Sequence, residues 1–269
     1  MSRMTELSSL EDSLRARRLD VERVEDTFNV QQGTGIMATK AHIDPRRLFD
    51  TLSDDEEIRR RQIAGFVNGI KHVLLEPKRS SADEWDFVES AGRLVPAPQA
   101  STFTLGVQEA AGQTPWTVDF VDDLHFAYFI QLDRGLRVLT EAQVERWGVS
   151  EDRITAAARS LLFHKTRNLD FQPFEDNSEV QRLHAGDDLD AARCLVVADA
   201  FYSDIGDEFR FALPSTEHFL CVLQSTPDGL AELSDATRKI YLEADTPLST
   251  RIFRFETGTP VAIEDSDDD

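Results

Sequence analysis

Along the chain the apolar positions change period several times, and each change predicts a change of element. Leu7, Leu10 and Leu14 recur at helical spacing within residues 4–19, with Arg15, Arg17 and Arg18 late in the run, where cations suit a helix dipole. This predicts an N-terminal helix. Residues 21–24, 27–30 and 36–39 read as short strands of an antiparallel meander, with Gly33 and Gly35 breaking the last pair. Asp44-Pro45 opens a short helix ending near Leu52. Ser53-Asp54-Asp55-Glu56 is a capping-box pattern, and Ile63, Phe66, Val67, Ile70, Val73 and Leu74 follow it as the stripe of a long helix that a sheet must cover. Pro77 ends that helix, and 76–84 is a charged connection.

From 87 to 104 the pattern predicts an extended segment, an edge strand because it holds Pro96 and Pro98. Residues 106–115 are small and polar and read as a linker between two halves. Residues 116–121 predict a strand, and 128–138 a hairpin turning at Asp133-Arg134-Gly135, where Gly135 can take positive φ. Thr140 with Gln143 caps a short helix stopped by Trp147-Gly148, and Ser150 followed by Glu151 and Asp152 starts the next. Residues 167–177 read as a polar loop and 180–184 as a short strand. Asp187 or Asp188 caps a helix whose buried side is Leu189, Ala192, Leu195 and Val196, and Gly206 stops it. Two strongly strand-like runs, 209–213 and 219–223, are joined through Pro214-Ser215-Thr216-Glu217. Thr226-Pro227-Asp228 starts a long helix with Leu230, Leu233, Thr237, Ile240, Tyr241 and Ala244 on one side, and a final hairpin turns about Gly258.

Helices interspersed among hairpins, without sustained strand–helix–strand alternation, predict an α+β fold of largely antiparallel sheets packed by amphipathic helices in two closely packed halves. The expected division is 1–105 and 116–263, followed by a disordered acidic tail at 264–269.

Composition narrows the picture. The chain of 269 residues is 41% hydrophobic with 17 Phe, enough for a sizeable core. Apolar runs such as 194–198 fall far short of the roughly 20 residues of a membrane helix, and acids near the N-terminus replace the apolar core of a signal peptide, so a cytoplasmic protein is expected. Cys194 and Cys221 sit inside apolar runs and read as buried free thiols. A net charge of −21 argues against a membrane surface or nucleic acid as a direct partner. The acidity can serve solubility or a saline host, docking on a basic protein, or imitation of DNA.

The motifs exclude more than they propose. The glycine pair Gly33 and Gly35 lies between strands, without a following lysine and helix, so neither a P-loop nor a Rossmann turn is present, and no cofactor is expected. There is no Cys-x-x-Cys and no His-x-x-x-His. His164, His184, Asp187 and Asp188 are the one set from which a metal site could assemble, but the two acids are already used as a helix cap, so no metal is expected. For nucleophilic catalysis the candidates are Ser215, His218 and one of Asp204 or Asp207, because serine at a strand end can be exposed and His218 follows three residues on. A serine in such a turn also serves as turn chemistry alone. His125 and Tyr128 read as half-buried sheet residues.

FAYFIQLDRGLRVLTEAQVERWGVSEDRITAAARSLL, from 126 to 162, resembles the YtpQ-like family of bacterial cytoplasmic proteins, in which a similar hairpin leads to a Trp-ended helix and a helix with an Ala-Arg pair. Leu189-Asp190-Ala191-Ala192 is similar to that family's Tyr-Asp-Ala-Ser, and 211–217 to its strand ending in Val-Pro near an acid. The stretch 94–103 and the final hairpin also fit, in the same order. Ala192 stands where the family has serine and Leu161 where it has asparagine, so an activity resting on either would be lacking here. The resemblance implies a fold and a compartment but no reaction. The leading expectation is therefore a non-catalytic module whose acidic surface binds another protein, with a hydrolase or transferase using Ser215, His218 and a nearby acid as the alternative.

Overall fold

The computed structural model describes residues 3–33, 38–75, 85–121, 123–133, 135–176, 178–201 and 205–263. The fold is α+β. By compactness the chain forms two interleaved units, one of residues 1–90, 99–118 and 127–149, the other of 91–98, 119–126 and 150–269.

The first unit opens with helix α1 (Arg3–Ala16), followed by strands β1 (Asp20–Val24), β2 (Thr27–Gln32) and β3 (Thr39–Ile43) in an antiparallel meander. Helix α2 (Arg46–Phe49) leads to the long α3 (Glu56–Leu75). The α3 cap is Asp55 rather than Ser53: Asp55 Oδ1 accepts from the backbone N–H of Glu57 and Ile58 at 2.9 and 3.0 Å. One core joins Leu7, Leu10 and Leu14 of α1, Phe28, Val30 and Ile43 of the sheet, and the expected α3 stripe of Ile63, Phe66, Val67, Ile70 and Leu74.

The segment 87–104 is not extended throughout. Helix α4 (Phe87–Ala91) precedes strand β4 (Leu94–Ala100), and helix α5 (Thr102–Ala111) begins at its end. Strand β4 is the expected edge strand, outermost in the order β4, β6 (Leu124–Gln131), β5 (Thr117–Val121). Pro96 and Pro98, two residues apart, lack their N–H on the same edge of the strand, which suits the side without a neighbour.

The linker expected at 106–115 is a correction. Residues 106–111 are helical and complete α5, which packs tightly on α3. The small residues serve close approach: a Cβ on Gly106 would lie 2.0 Å from Phe66 O, and one on Gly69 would lie 2.3 Å from Phe103 O. Glycine is the side chain that this helix crossing admits. Strand β7 (Leu136–Val138) pairs with β6 through the expected hairpin, with Gly135 at φ 94°. Helix α6 (Glu141–Trp147) is capped by Thr140, whose hydroxyl accepts from Gln143 N, and ends on Gly148 at φ 62°.

In the second unit, helix α7 (Glu151–Thr166) precedes a six-stranded sheet in the order β13 (Thr259–Ala262), β12 (Ile252–Glu256), β10 (Arg210–Ser215), β11 (His218–Val222), β9 (Gln181–Leu183), β8 (Gln172–Pro173). Alternation gives the sheet two faces. Ala212, Leu220 and Val222 pack with Leu233, Ala236 and Ile240 of α9 (Pro227–Glu243). Phe211, opposite Phe253, belongs to the other side, where its ring stacks on Phe219 at 5.4 Å and on Phe255 at 4.9 Å. Many of the phenylalanines are spent on this cross-strand array. Between β9 and β10 stands a 3-10 turn (Ala191–Leu195) followed by α8 (Val197–Ala200). Its N-cap position is Asp190, not the expected Asp187 or Asp188. The acidic tail at 264–269 and the connection at 76–84 lie outside the described residues.

Candidate functional site

The site grows out of the register of three strands. Strands β9 and β11 pair with Leu183 opposite Phe219, Arg182 opposite Leu220 and Gln181 opposite Cys221. Carried one residue beyond the end of β9, that register sets His184 opposite His218. Both histidines line one small cleft of about 120 Å³, with Arg182, Asp188, Asp190 and Glu217 around them.

Each imidazole is oriented by a bond at Nδ1. His184 Nδ1 lies 2.9 Å from Asp190 Oδ2. The Asp190 carboxylate is 2% exposed and also accepts from Ala185 N at 3.1 Å and from Arg193 Nη1 at 2.8 Å. An ionised carboxylate has no proton to give, so this contact assigns the Nδ1 proton to His184 and leaves its Nε2 a lone pair. The His184 side chain is 54% exposed.

His218 is held differently. Its Nδ1 lies 2.7 Å from Ser215 Oγ, which also accepts from Glu217 N at 3.3 Å. The β10–β11 register slips between Ala212 and Ser215, and this bulge brings Ser215, rather than Pro214, opposite His218. Where the Ser215 hydroxyl donates to this Nδ1, the proton of the neutral imidazole stands on Nε2, the tautomer opposite to that of His184. Burial lowers the pKa of His218, with His184 and Arg182 acting in the same direction and Glu217 and Asp190 against them. The ring therefore stays neutral at physiological pH. Among the described residues neither Nε2 has a protein partner.

Behind the cleft sits a buried ion cluster. Arg193 is 0% exposed, its Nη1 on Asp190 and its Nη2 on Asp187 at 2.9 and 3.0 Å, and Lys165 Nζ approaches Asp187 at 3.8 Å. Asp187 is thus committed to Arg193, a role the helix-cap assignment overlooked. The charges nearly cancel, so the cluster fixes the position of Asp190 without adding net charge at His184.

Of the residues expected from sequence, Ser215 and His218 are brought together. Ser215 is only 2% exposed and turned onto the ring, so it positions His218 instead of presenting a free hydroxyl. Asp204 lies outside the described residues, and Asp207 makes no side-chain contact with His218; its carbonyl accepts from Arg210. The acid that serves this site is Asp190. Sequence reading missed Asp190 and Arg182, and took His184 for a metal ligand at most. The available signal was a histidine and an aspartate flanking the short segment 185–189, which can fold one onto the other. Among the described residues no set of three His, Cys, Asp or Glu side chains is arranged to hold a metal. Cys194 and Cys221 are free and buried, and burial pushes both thiols well above the usual range, so neither is a ready nucleophile.

No protein-family model, no curated protein and no solved structure matches the chain.

Proposed function

We propose that this protein is an enzyme of the hydrolase or transferase class, with acid–base chemistry at His184 and His218. The observation that carries the reading is the pair of imidazoles in register on one cleft, each held at Nδ1, His184 by Asp190 and His218 by Ser215. His184 Nε2 takes the proton of a water or substrate hydroxyl, and the resulting imidazolium is stabilised by Asp190. The attacking oxygen adds to a carbonyl or phosphoryl centre, and the neutral Nε2–H of His218 donates to the oxyanion that develops. His184 then returns the proton to the leaving oxygen, so hydrolysis adds one water and leaves both imidazoles as they began. Ser215 is a positioning residue for His218.

The test is a panel of chromogenic carboxylic and phosphoric esters. Turnover is expected to fall about 100-fold or more in His184→Gln and in His218→Gln. Ser215→Ala should reduce kcat less and shift the acid limb of the pH profile, because His218 then loses its fixed tautomer. A panel on which both histidine variants match the unaltered protein would defeat the proposal.

A second reading keeps the acidic exterior as its observation: a net charge of −21 steers a basic protein partner, within a cytoplasmic, YtpQ-like protein. No described helix is long and apolar enough to cross a membrane, which is compatible with that setting. Under this reading a partner recovered from the host binds more weakly as salt rises.

A further inference from the structure

The arginine in the cleft has no counterpart. Arg182 sits mid-strand in β9, between Gln172 on β8 and Leu220 on β11. Its Nε is buried without a hydrogen-bond partner, and among the described residues its guanidinium makes no ion pair. Acids are not scarce: the chain has 50 Asp and Glu against 29 Lys and Arg. Arg193, eleven positions further along the chain, also has a buried Nε without a partner, but both of its Nη groups are spent on Asp187 and Asp190, so what sets Arg182 apart is the missing ion pair. An arginine N–H buried without an acceptor is costly to leave so, and a guanidinium fork matches the paired oxygens of a phosphoryl or carboxylate group.

We infer that the cleft takes a small oxyanion, a phosphoryl or carboxylate group, and that Arg182 is its anchor. The Nε2–H of His218 supplies a further donor from the opposite strand. At about 120 Å³ the cleft suits the anionic head of a ligand and not a whole drug-sized molecule, for which pockets of roughly 300 Å³ and more are usual. Asp188 and Glu217 on the same cleft hold its surroundings acidic. Long-range attraction therefore does not draw the anion in, and recognition rests on directed N–H donors at short range, which disfavours an extended polyanion. The inference deepens the acid–base reading by naming its substrate class, an ester carrying an anionic group, while the binding itself does not depend on turnover.

The test is titration of the full chain with inorganic phosphate and, separately, acetate at constant ionic strength, following the ¹⁵N and ¹H signals of the His184 and His218 rings. The expected result is saturable shifts with one of the anions at a Kd of about 1 mM or tighter, weakened about ten-fold or more in Arg182→Gln and partly retained in Arg182→Lys. Saturation by phosphate assigns a phosphoryl group, and saturation by acetate alone a carboxylate. Thermal melting of the unaltered protein should rise with the bound anion and not with chloride at equal ionic strength, a reading that needs no variant to fold. Absence of saturation with both anions, or an unchanged Kd in Arg182→Gln, overturns the inference. Saturable, Arg182-dependent binding without ester turnover sustains it while the acid–base reading fails. Turnover of anionic and neutral esters equally unaffected by Arg182→Gln sustains the acid–base reading and overturns the inference.

Discussion

The bulge between Ala212 and Ser215 decides which atom of the β10–β11 hairpin meets His218, and Arg193 decides what stands behind His184. Arg193 is the sharper test of the second arrangement. Removing its charge leaves Asp187 and Asp190 without their cation, and a broken buried ion pair typically costs about 3–5 kcal/mol. Arg193→Met should lower stability by that order in urea denaturation, and a loss under about 1 kcal/mol would mean that water replaces the guanidinium at little cost. At this scale the chemistry was half legible. Ser215 and His218 are three residues apart across a turn, so their contact could be read from the chain. His184 and His218 are 34 residues apart and meet only because β9 and β11 pair in one particular register, which no local pattern reveals. Asp190 and Arg193 escaped because a run of acids before a helix reads first as a cap, and an arginine among apolar neighbours reads first as solvated.

The elements followed their boundary chemistry wherever a cap or turn residue acts locally. Thr140 caps α6 and Thr226 caps α9, each accepting from the N–H three residues on, and Gly135, Gly148 and Gly258 take the positive φ their turns need. The failures came where a residue serves a distant contact. Gly106 reads as loop in isolation, yet it sits inside α5 so that α3 can approach, and Gly65 and Gly69, four apart on α3, are the matching feature on the other helix. In an exposed helix, Gly→Ala stabilises by about 1 kcal/mol. Gly69→Ala and Gly106→Ala should instead destabilise by about 1–3 kcal/mol or more, because the new methyl meets backbone that cannot give way. Equilibrium unfolding in urea checks this, and a gain in stability from either substitution would contradict the crossing described. The 3-10 turn at Ala191–Leu195 is a comparable case: the expected helix is tightened where Asp190 and Arg193 must face each other at i and i+3.

For the molecule as a whole, two histidines screened from water contribute to the loss of stability in acid. His72 is enclosed by the rings of Phe103 and Phe129 at 5.7 and 5.0 Å, and loss of hydration, with Lys71 contributing, lowers its pKa to about 4. His125, 7% exposed with a buried Nε2 that lacks a partner among the described residues, is lowered to about 4 by burial, against the pull of Asp119. Both hold a proton more tightly in the unfolded chain, near 6.5, than in the folded one. Between those values the unfolded state binds more protons, so this contribution is fully present above pH 6.5 and is lost as pH falls toward 4. Urea midpoints measured across that window should drop, and His125→Leu should flatten the drop by removing one of the two groups. An unchanged slope in that variant would place the titration elsewhere. The functional account rests on the opposed tautomers of His184 and His218, and the measurement that reaches them most directly is ¹⁵N NMR of the imidazole nitrogens through a pH titration. The account predicts a proton on Nδ1 and a bare Nε2 for His184, a proton on Nε2 for neutral His218, and a His218 titration below the ordinary 6.5. His184 found with its proton on Nε2, or His218 titrating at or above 6.5, would contradict it.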